Sequence, residues 1–431
     1  MKKKFLAMAL SLSLAMSVSA CGGGNNKTSN TADGGNSSGK PVEIEFWHYF
    51  DQSSDKDLIV QWIDEYNSIQ KDIHIKPTYM SRDELMNQYT IGAVSGQLPD
   101  IGMVDSPDMA SYISLGVFED ITEQLEKWGE LDKFYDGPLS SCMDADGKYY
   151  GLPQNSNCLA LACNMDLLNA AGYDEVPKSV DELLEIAKAT TDPTNSVYGM
   201  AMCLIGTEEG TFQMIPWLRA DIGGQSVNVD NLTAPSAVKG LTNLKTLVSN
   251  GYMNKEAVNW TQSDAWNQFI AGKAAMVECG TWHLAMTNGI DGKFNYKFTL
   301  LPTGDSGTST STIGGENFGV CSGADNVDAC VDFLKWMCSK ENEAKWAVNA
   351  GKIPTRSDSV AEYTFEQEGF DVFVDQMNYA QARGPHAEWP TISKAVYTAV
   401  QSAVLNNADP AQALKTAMDT ITPIVQENPL P

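Results

Sequence analysis

The sequence is short of basic side chains. It holds 29 Lys and Arg against 55 Asp and Glu, a formal net charge of −26, or −29 once the three lysines at positions 2–4 are set aside. A field of that sign repels phosphate backbones and anionic headgroups, which excludes nucleic acid as a partner and excludes attachment to a membrane by charge. Histidine is scarce too: His48, His74, His283 and His386 have no ligand spacing, so no metal site and no cofactor are expected. No stretch after the first twenty residues reaches the roughly 18 uncharged apolar residues of a spanning helix. The patterns G-x-x-x-x-G-K-[ST], G-x-S-x-G and H-E-x-x-H are missing. Cys158 and Cys163 are wrongly spaced for C-x-x-C. "DADGK" at 144–148 lacks the third acid and closing Glu of a calcium loop and reads as a turn. These absences point to a protein that binds and does no chemistry. The many Asp and Glu keep a surface glycoside hydrolase open as an alternative, since a chain alone does not place two carboxylates at a set separation.

What is present starts with an export segment. Three lysines, an apolar run from Phe5 to Val18 and the small-residue site Val18-Ser19-Ala20 before Cys21 read as a signal peptide over residues 1–20. The stretch resembles a bacterial lipobox, which implies that the Cys21 thiol carries lipid. A plain signal peptide followed by a chance Cys is the bland alternative. Residues 21–40 contain no aliphatic side chain larger than Ala and read as a flexible tether. Eight cysteines remain beyond Cys21. An even number in an exported chain invites disulfides, but these sit in apolar runs such as "CLALACNM", so they are read as buried free thiols.

The body, residues 41–431, is long for one core and fits two lobes. Strand and helix patterns alternate along it, the α/β signature. "EIEFWHYFDQ" at 43–52 opens as an alternating strand and then crowds Trp47, His48, Tyr49 and Phe50 together, more rings than one face can bury. They cannot all point into one core. "SRDELMNQY" and "SVDELLEIAKAT" begin with the capping pairs Ser81/Glu84 and Ser179/Glu182, and Asp409-Pro410 starts a further helix. Trp47, Trp217, Trp282 and Trp389 stand at the ends of apolar runs beside Gly or Pro, where rings line clefts as well as cores. Aromatic planes for sugar C–H faces, together with polar side chains for hydroxyls, suit a polyhydroxylated ligand.

Six stretches, in order, resemble the extracellular solute-binding proteins of ABC sugar importers, the group of maltose-binding protein: "EIEFWHYF", "GQLPDIGMVDSPDMASYISLGVFEDIT", "DGKYYGLPQNSNCLALACNMDLLNAAGYDEVPKSVDEL", "FIAGKAAMVECGTW", "LPTG" and "GGENFGV". Cys163 and Ser179 depart from the family pattern, which has Tyr and Thr there. The resemblance implies an α/β, two-lobed periplasmic-binding-protein fold, type II-like, with a hinge and an interlobe cleft. Lobe 1 is expected over 41–156 plus 317–360 and lobe 2 over 157–316 plus 361–431. The resemblance further implies that the first strand ends at Trp47 and runs out into the cleft, with ligand contacts from His48, Tyr49, Asp51, Asp105 and Ser106 on the first lobe. Gln154, Asn155 and Asn157 come from the crossover, and Trp217 and Trp282 from the second lobe. Gly315, Glu316, Asn317, Arg356, Arg383 and Trp389 complete the set. For the two arginines a salt bridge is the competing reading. The resemblance implies a carbohydrate ligand, permease subunits of an ABC transporter as partner, contact with the membrane only through the lipid, a monomer, and a location on the outer face of the cytoplasmic membrane. A peptide, polyamine or other solute in the same fold is the alternative.

Overall fold

The computed structural model describes residues 41–428 except 51–52, 224–228, 230 and 363–366. Its first strand, β1 (Val42–His48), buries every second side chain, Ile44, Phe46 and His48. Trp47 faces the other way and stacks on Tyr89, ring centroids 6.1 Å apart. The strand thus runs one residue past the expected boundary, and the crowded rings are shared between two faces.

β1 pairs in parallel with β2 (Ile73–Tyr79) and β3 (Ile101–Asp105). The order β2-β1-β3-β10-β4 is completed by β4 (Gly151–Pro153) and by β10 (Glu316–Val320), which is antiparallel to both its neighbours. The second sheet has the order β6-β7-β5-β8, from β5 (Leu159–Asn164), β6 (Tyr198–Ala201), β7 (Ala274–Gly280) and β8 (Tyr296–Thr299). A short parallel pair, β9 (Ser311–Ile313) with β11 (Ala380–Ala382), lies beside it. Helices flank both sheets, as an α/β fold requires. The expected caps hold: Ser81, Ser179 and Asp409 accept from the backbone N–H of Glu84, Glu182 and Gln412.

The hydrophobic clusters follow this division. One set, with Phe46, Ile101, Phe318 and Trp346, or with Tyr89, Val104 and Phe118, surrounds the five-stranded sheet. The other set, with Leu161, Trp217, Trp389 and Leu414, or with Val277, Trp266 and Phe373, surrounds the four-stranded sheet. The fold is therefore two-lobed, with a core in each lobe. The chain crosses between them three times: at residues 154–158, at 314–315, and between the helices Ser357–Glu362 and Phe370–Met377; the first two crossings lie side by side. Here Asn157 and Gly314 exchange backbone hydrogen bonds of 3.0 and 2.9 Å, and Ser156 does the same with Ile353 at 2.7 and 2.8 Å. A Cβ on Gly315 would lie 2.2 Å from the Asn155 carbonyl oxygen, so only glycine lets the two crossing segments approach this closely. All eight cysteines from Cys142 to Cys338 are buried free thiols. Among the described residues no helix is long and apolar enough to cross a membrane.

One buried acid gives the fold a pH signature. Glu278 on β7 is 1% exposed, and its Oε2 accepts from Trp217 Nε1 at 2.5 Å. Burial outweighs that single neutral donor and pushes the carboxyl up to about 8. A folded-state pKa above the unfolded value means that the native state holds the extra proton, so stability falls as pH rises from the ordinary carboxylate range towards 8. We predict a loss approaching about 1.4 kcal/mol per pH unit from this group. Glu278→Gln, which keeps an acceptor for Trp217, should flatten that slope in urea unfolding between pH 5.5 and 8; an unchanged slope would refute the assignment.

Candidate functional site

A cavity of about 140 Å³ opens where the ends of β1 and β3 and the start of β10 meet the second lobe. Open α/β sheets place ligands at such strand ends, where backbone pairing stops and side chains from several loops converge. Tyr49 and Phe50 follow β1, Asp105 ends β3 and Glu316 begins β10. Asp55 comes from the first turn of the helix Ser53–Ile69 and Arg82 from the start of the helix Arg82–Ser95. The second lobe contributes Glu209 and Phe212 from the helix Glu208–Arg219, Gln262 from the helix Gln262–Ile270, and Trp282 from the turn after β7. Asn157, Lys352 and Arg383 line the remainder.

The aromatic rings of this cavity carry protein cations. Lys352, 4% exposed, places its ammonium 5.1 Å from the Trp282 ring centre, 3.5 Å from Asp55 Oδ2 and 3.8 Å from Glu316 Oε2. Burial raises the Glu316 carboxyl against the opposing pull of Lys352. Arg383 lies 4.3 Å over the Phe212 ring, a cation–π contact inside a desolvated site. Its Nη2 donates to both Asp105 oxygens at 3.0 Å, and its Nη1 to Glu208. Arg82 in turn donates to Asp108 and stands 3.6 Å from Asp105. Polar groups without charge complete the wall. The buried Asn157 Oδ1 has no hydrogen-bond partner, and Gln262 N–H donates to Glu209 Oε1 at 2.6 Å.

Of the residues expected from the sequence, Tyr49, Asp105, Asn157, Trp282, Glu316 and Arg383 are brought to this cavity. Ser106, Asn155, Gly315 and Asn317 line a smaller recess of about 20 Å³ that also touches Arg383. Gln154 is buried beside them and accepts from Asn155 Nδ2 at 2.7 Å. Asp51 lies outside the described residues. Four residues lie elsewhere, each for a visible reason. His48 falls on the core face of β1, stacks on Phe46, and is held neutral by burial and by Lys56, which push its imidazole down to about 4. Trp217 is inside the second lobe, bonded to Glu278. Trp389 is 1% exposed in the same core. Arg356 donates to Glu130 and Asp358 between the Trp128 and Phe134 rings, so it follows the salt-bridge reading. The cavity also includes Phe50, one of the crowded rings after the first strand though not expected as a contact, and residues that no local pattern marks: Asp55, Arg82, Glu209, Phe212, Gln262 and Lys352. Only the acidic excess of the chain hinted at so many carboxylates here.

Removing Lys352 would leave the buried Glu316 with less compensation. We predict that Lys352→Met destabilises the fold by about 3 kcal/mol at pH 7. The loss should shrink towards pH 5, because Glu316 then takes up the proton that burial favours. Urea unfolding at the two pH values would reveal an equal loss at both if the pairing had no such role.

Comparison with known proteins agrees with this architecture. A curated arabinooligosaccharide-binding protein of Halalkalibacterium halodurans is 22% identical over 90% of this chain and 90% of its own. A maltotriose-binding protein of Pyrococcus abyssi is 24% identical over 74% and 67%. Among solved structures, maltose-bound T. maritima MalE3 superposes with a TM-score of 0.78 at 22% identity, covering 88% of this chain and 98% of that one. A tagatose-bound ABC transporter solute-binding protein from Thermotoga lettingae reaches 0.80 at 22% identity, over 89% and 100%. Such structures carry the two-lobed fold seen here. The family described as bacterial extracellular solute-binding protein matches residues 61–370, and with that match, the two lobes and the cleft between them, this chain belongs to the bacterial extracellular solute-binding proteins.

Proposed function

We propose that the chain is a lipid-anchored receptor that captures a sugar or oligosaccharide outside the cell and delivers it to an ABC permease, with no chemistry of its own. The observation that carries this reading is the cavity between the lobes, which combines Tyr49, Phe212 and Trp282 with Asn157, Gln262, Asp105 and Glu316. Aromatic surface covers sugar C–H faces, while amide and carboxylate groups take the hydroxyls. The sugars in the names of relatives and neighbours support the ligand class. Lipid on Cys21, a tether over 21–40, and lobes over 41–156 plus 317–360 and 157–316 plus 361–431 belong to the same proposal; residues 1–40 lie outside the described part. The receptor acts as a monomer on the outer face of the cytoplasmic membrane. Ligand touching both lobes favours the closed arrangement, since only differential contact shifts such an equilibrium.

A second reading draws on one feature. The cavity walls hold the carboxylates Asp55, Asp105, Glu209 and Glu316 against Arg82, Lys352 and Arg383. That excess favours an amine-bearing solute, such as a polyamine, over an anionic one. A thermal-shift screen separates the two readings, because a ligand that binds only the folded state raises the melting temperature by mass action. We expect shifts with neutral mono- or oligosaccharides. Shifts with polyamines or peptides alone would replace the sugar reading. For a sugar that binds, Trp282→Ala should weaken affinity by about 2 kcal/mol, measured by calorimetry well below the variant's melting point; an unchanged affinity would remove Trp282 from the site.

A further inference from the structure

The two guanidiniums beside the cavity sit in a buried cluster that belongs to both lobes. Arg383 follows β11 and rests on Phe212, a residue of the second lobe's core. It bonds Glu208 of that lobe and, through two 3.0 Å bonds, Asp105 at the end of β3 in the first lobe. Arg82 of the first lobe bonds Asp108 and approaches Asp105. The side chains of Arg383, Glu208 and Asp108 are no more than 7% exposed. Arg82 and Asp105 keep 22% and 15% of their side chains exposed, so three carboxylates share two guanidiniums at a place largely shielded from water.

We propose that Arg383 is a positioning residue of the receptor cycle: it bolts the lobes at the spacing seen here by bridging Glu208 and Asp105, and the surplus carboxylate of the cluster makes this bolt close with uptake of a proton.

The guanidinium fork explains why an arginine holds this position. One nitrogen takes both oxygens of Asp105 while the other reaches Glu208, a geometry that a lysine's point charge does not reproduce. Opening the lobes would part Asp105 from Arg383 and return both to water. It would also remove Glu208 from the neighbourhood of Asp105 and Asp108. Closure brings up Glu208 and Arg383 together, whose opposite charges offset, and it adds burial to the first lobe's carboxylates, which favours a proton there. Asp108 shows the result. Burial foremost, with Glu208 and Asp105 adding to it against Arg82 and Arg383, pushes its carboxyl up to about 7. Glu209 lines the cavity beside Arg82, Asp105 and Arg383; Tyr49 after β1, Tyr112, Tyr397 and Glu316 also face the cluster, and burial raises these four. The tyrosines are thus uncharged at neutral pH, and Lys352 faces Glu316. A carboxyl whose pKa is higher in the closed arrangement takes up a proton on closing, so closure is favoured below about pH 7 and weakens as pH rises through it.

The test is small-angle scattering of the full-length chain without any sugar, at pH 6 and pH 8, so its outcome does not depend on the ligand class. The wild type should have the smaller radius of gyration at pH 6. Arg383→Gln should be expanded at both pH values and lose the pH response, and Arg383→Lys should recover only part of the compaction. Asp108→Asn, which supplies the neutral form permanently, should be compact at both. A wild-type radius that does not change with pH overturns the proposal, as does an Arg383→Gln protein that keeps the wild-type response. Should Arg383→Gln fail to fold by circular dichroism, the wild type and Asp108→Asn decide alone, and an Asp108→Asn protein that still expands at pH 8 refutes the coupling.

Discussion

Two pairs of backbone hydrogen bonds, Asn157 with Gly314 and Ser156 with Ile353, join the lobes where the chain crosses between them. The cavity depends on this seam. The seam fixes how far apart the ends of β1, β3 and β10 stand from the helix Glu208–Arg219 and the turn that carries Trp282. Backbone pairing tolerates rotation better than interlocked side chains do, because few packed atoms must part. Gly315 belongs to the same constraint, since any side chain there would drive the crossing segments apart.

Charge is arranged around that seam in a manner unusual for a protein interior. Isolated buried charges are costly, so each cation of the cleft is held by more than one carboxylate: Lys352 by Asp55 and Glu316, Arg383 by Asp105 and Glu208. The Lys352 group belongs to the first lobe, whereas Arg383 joins Asp105 of the first lobe to Glu208 of the second, which ties its electrostatic balance to the distance between the lobes. Lys352 and Arg383 also cover the Trp282 and Phe212 rings. A sugar bound as proposed would share those rings with protein cations, which would join its recognition to the spacing of the lobes.

Much of the fold was legible along the chain. The alternating strand and helix patterns announced an α/β protein, and the capping residues Ser81, Ser179 and Asp409 marked helix starts because a cap is a contact within four residues. The site was legible only in part. Tyr49, Asp105 and Glu316 stand at strand ends, which local pattern can locate. Lys352, Gln262 and Phe212 stand in helices or loops with no local mark, and meet only when both lobes are in place. His48 shows the converse failure. A one-residue difference in where β1 ends decides whether its ring faces cleft or core, and that end is set by pairing with β2 at Tyr79.

Composition and periodicity by themselves determined the α/β class, since that follows from local propensity and from which residues must leave water, while the two-lobed solute-binding fold was carried by motif order as a resemblance. Whether a given tryptophan or arginine serves ligand or scaffold was decided by tertiary structure alone. Trp217 and Trp389 were drawn into the second core, and Arg356 into a salt bridge on the first lobe. Arg383 was placed across the cleft, because only the packed lobes bring Asp105 and Glu208 within reach of one guanidinium.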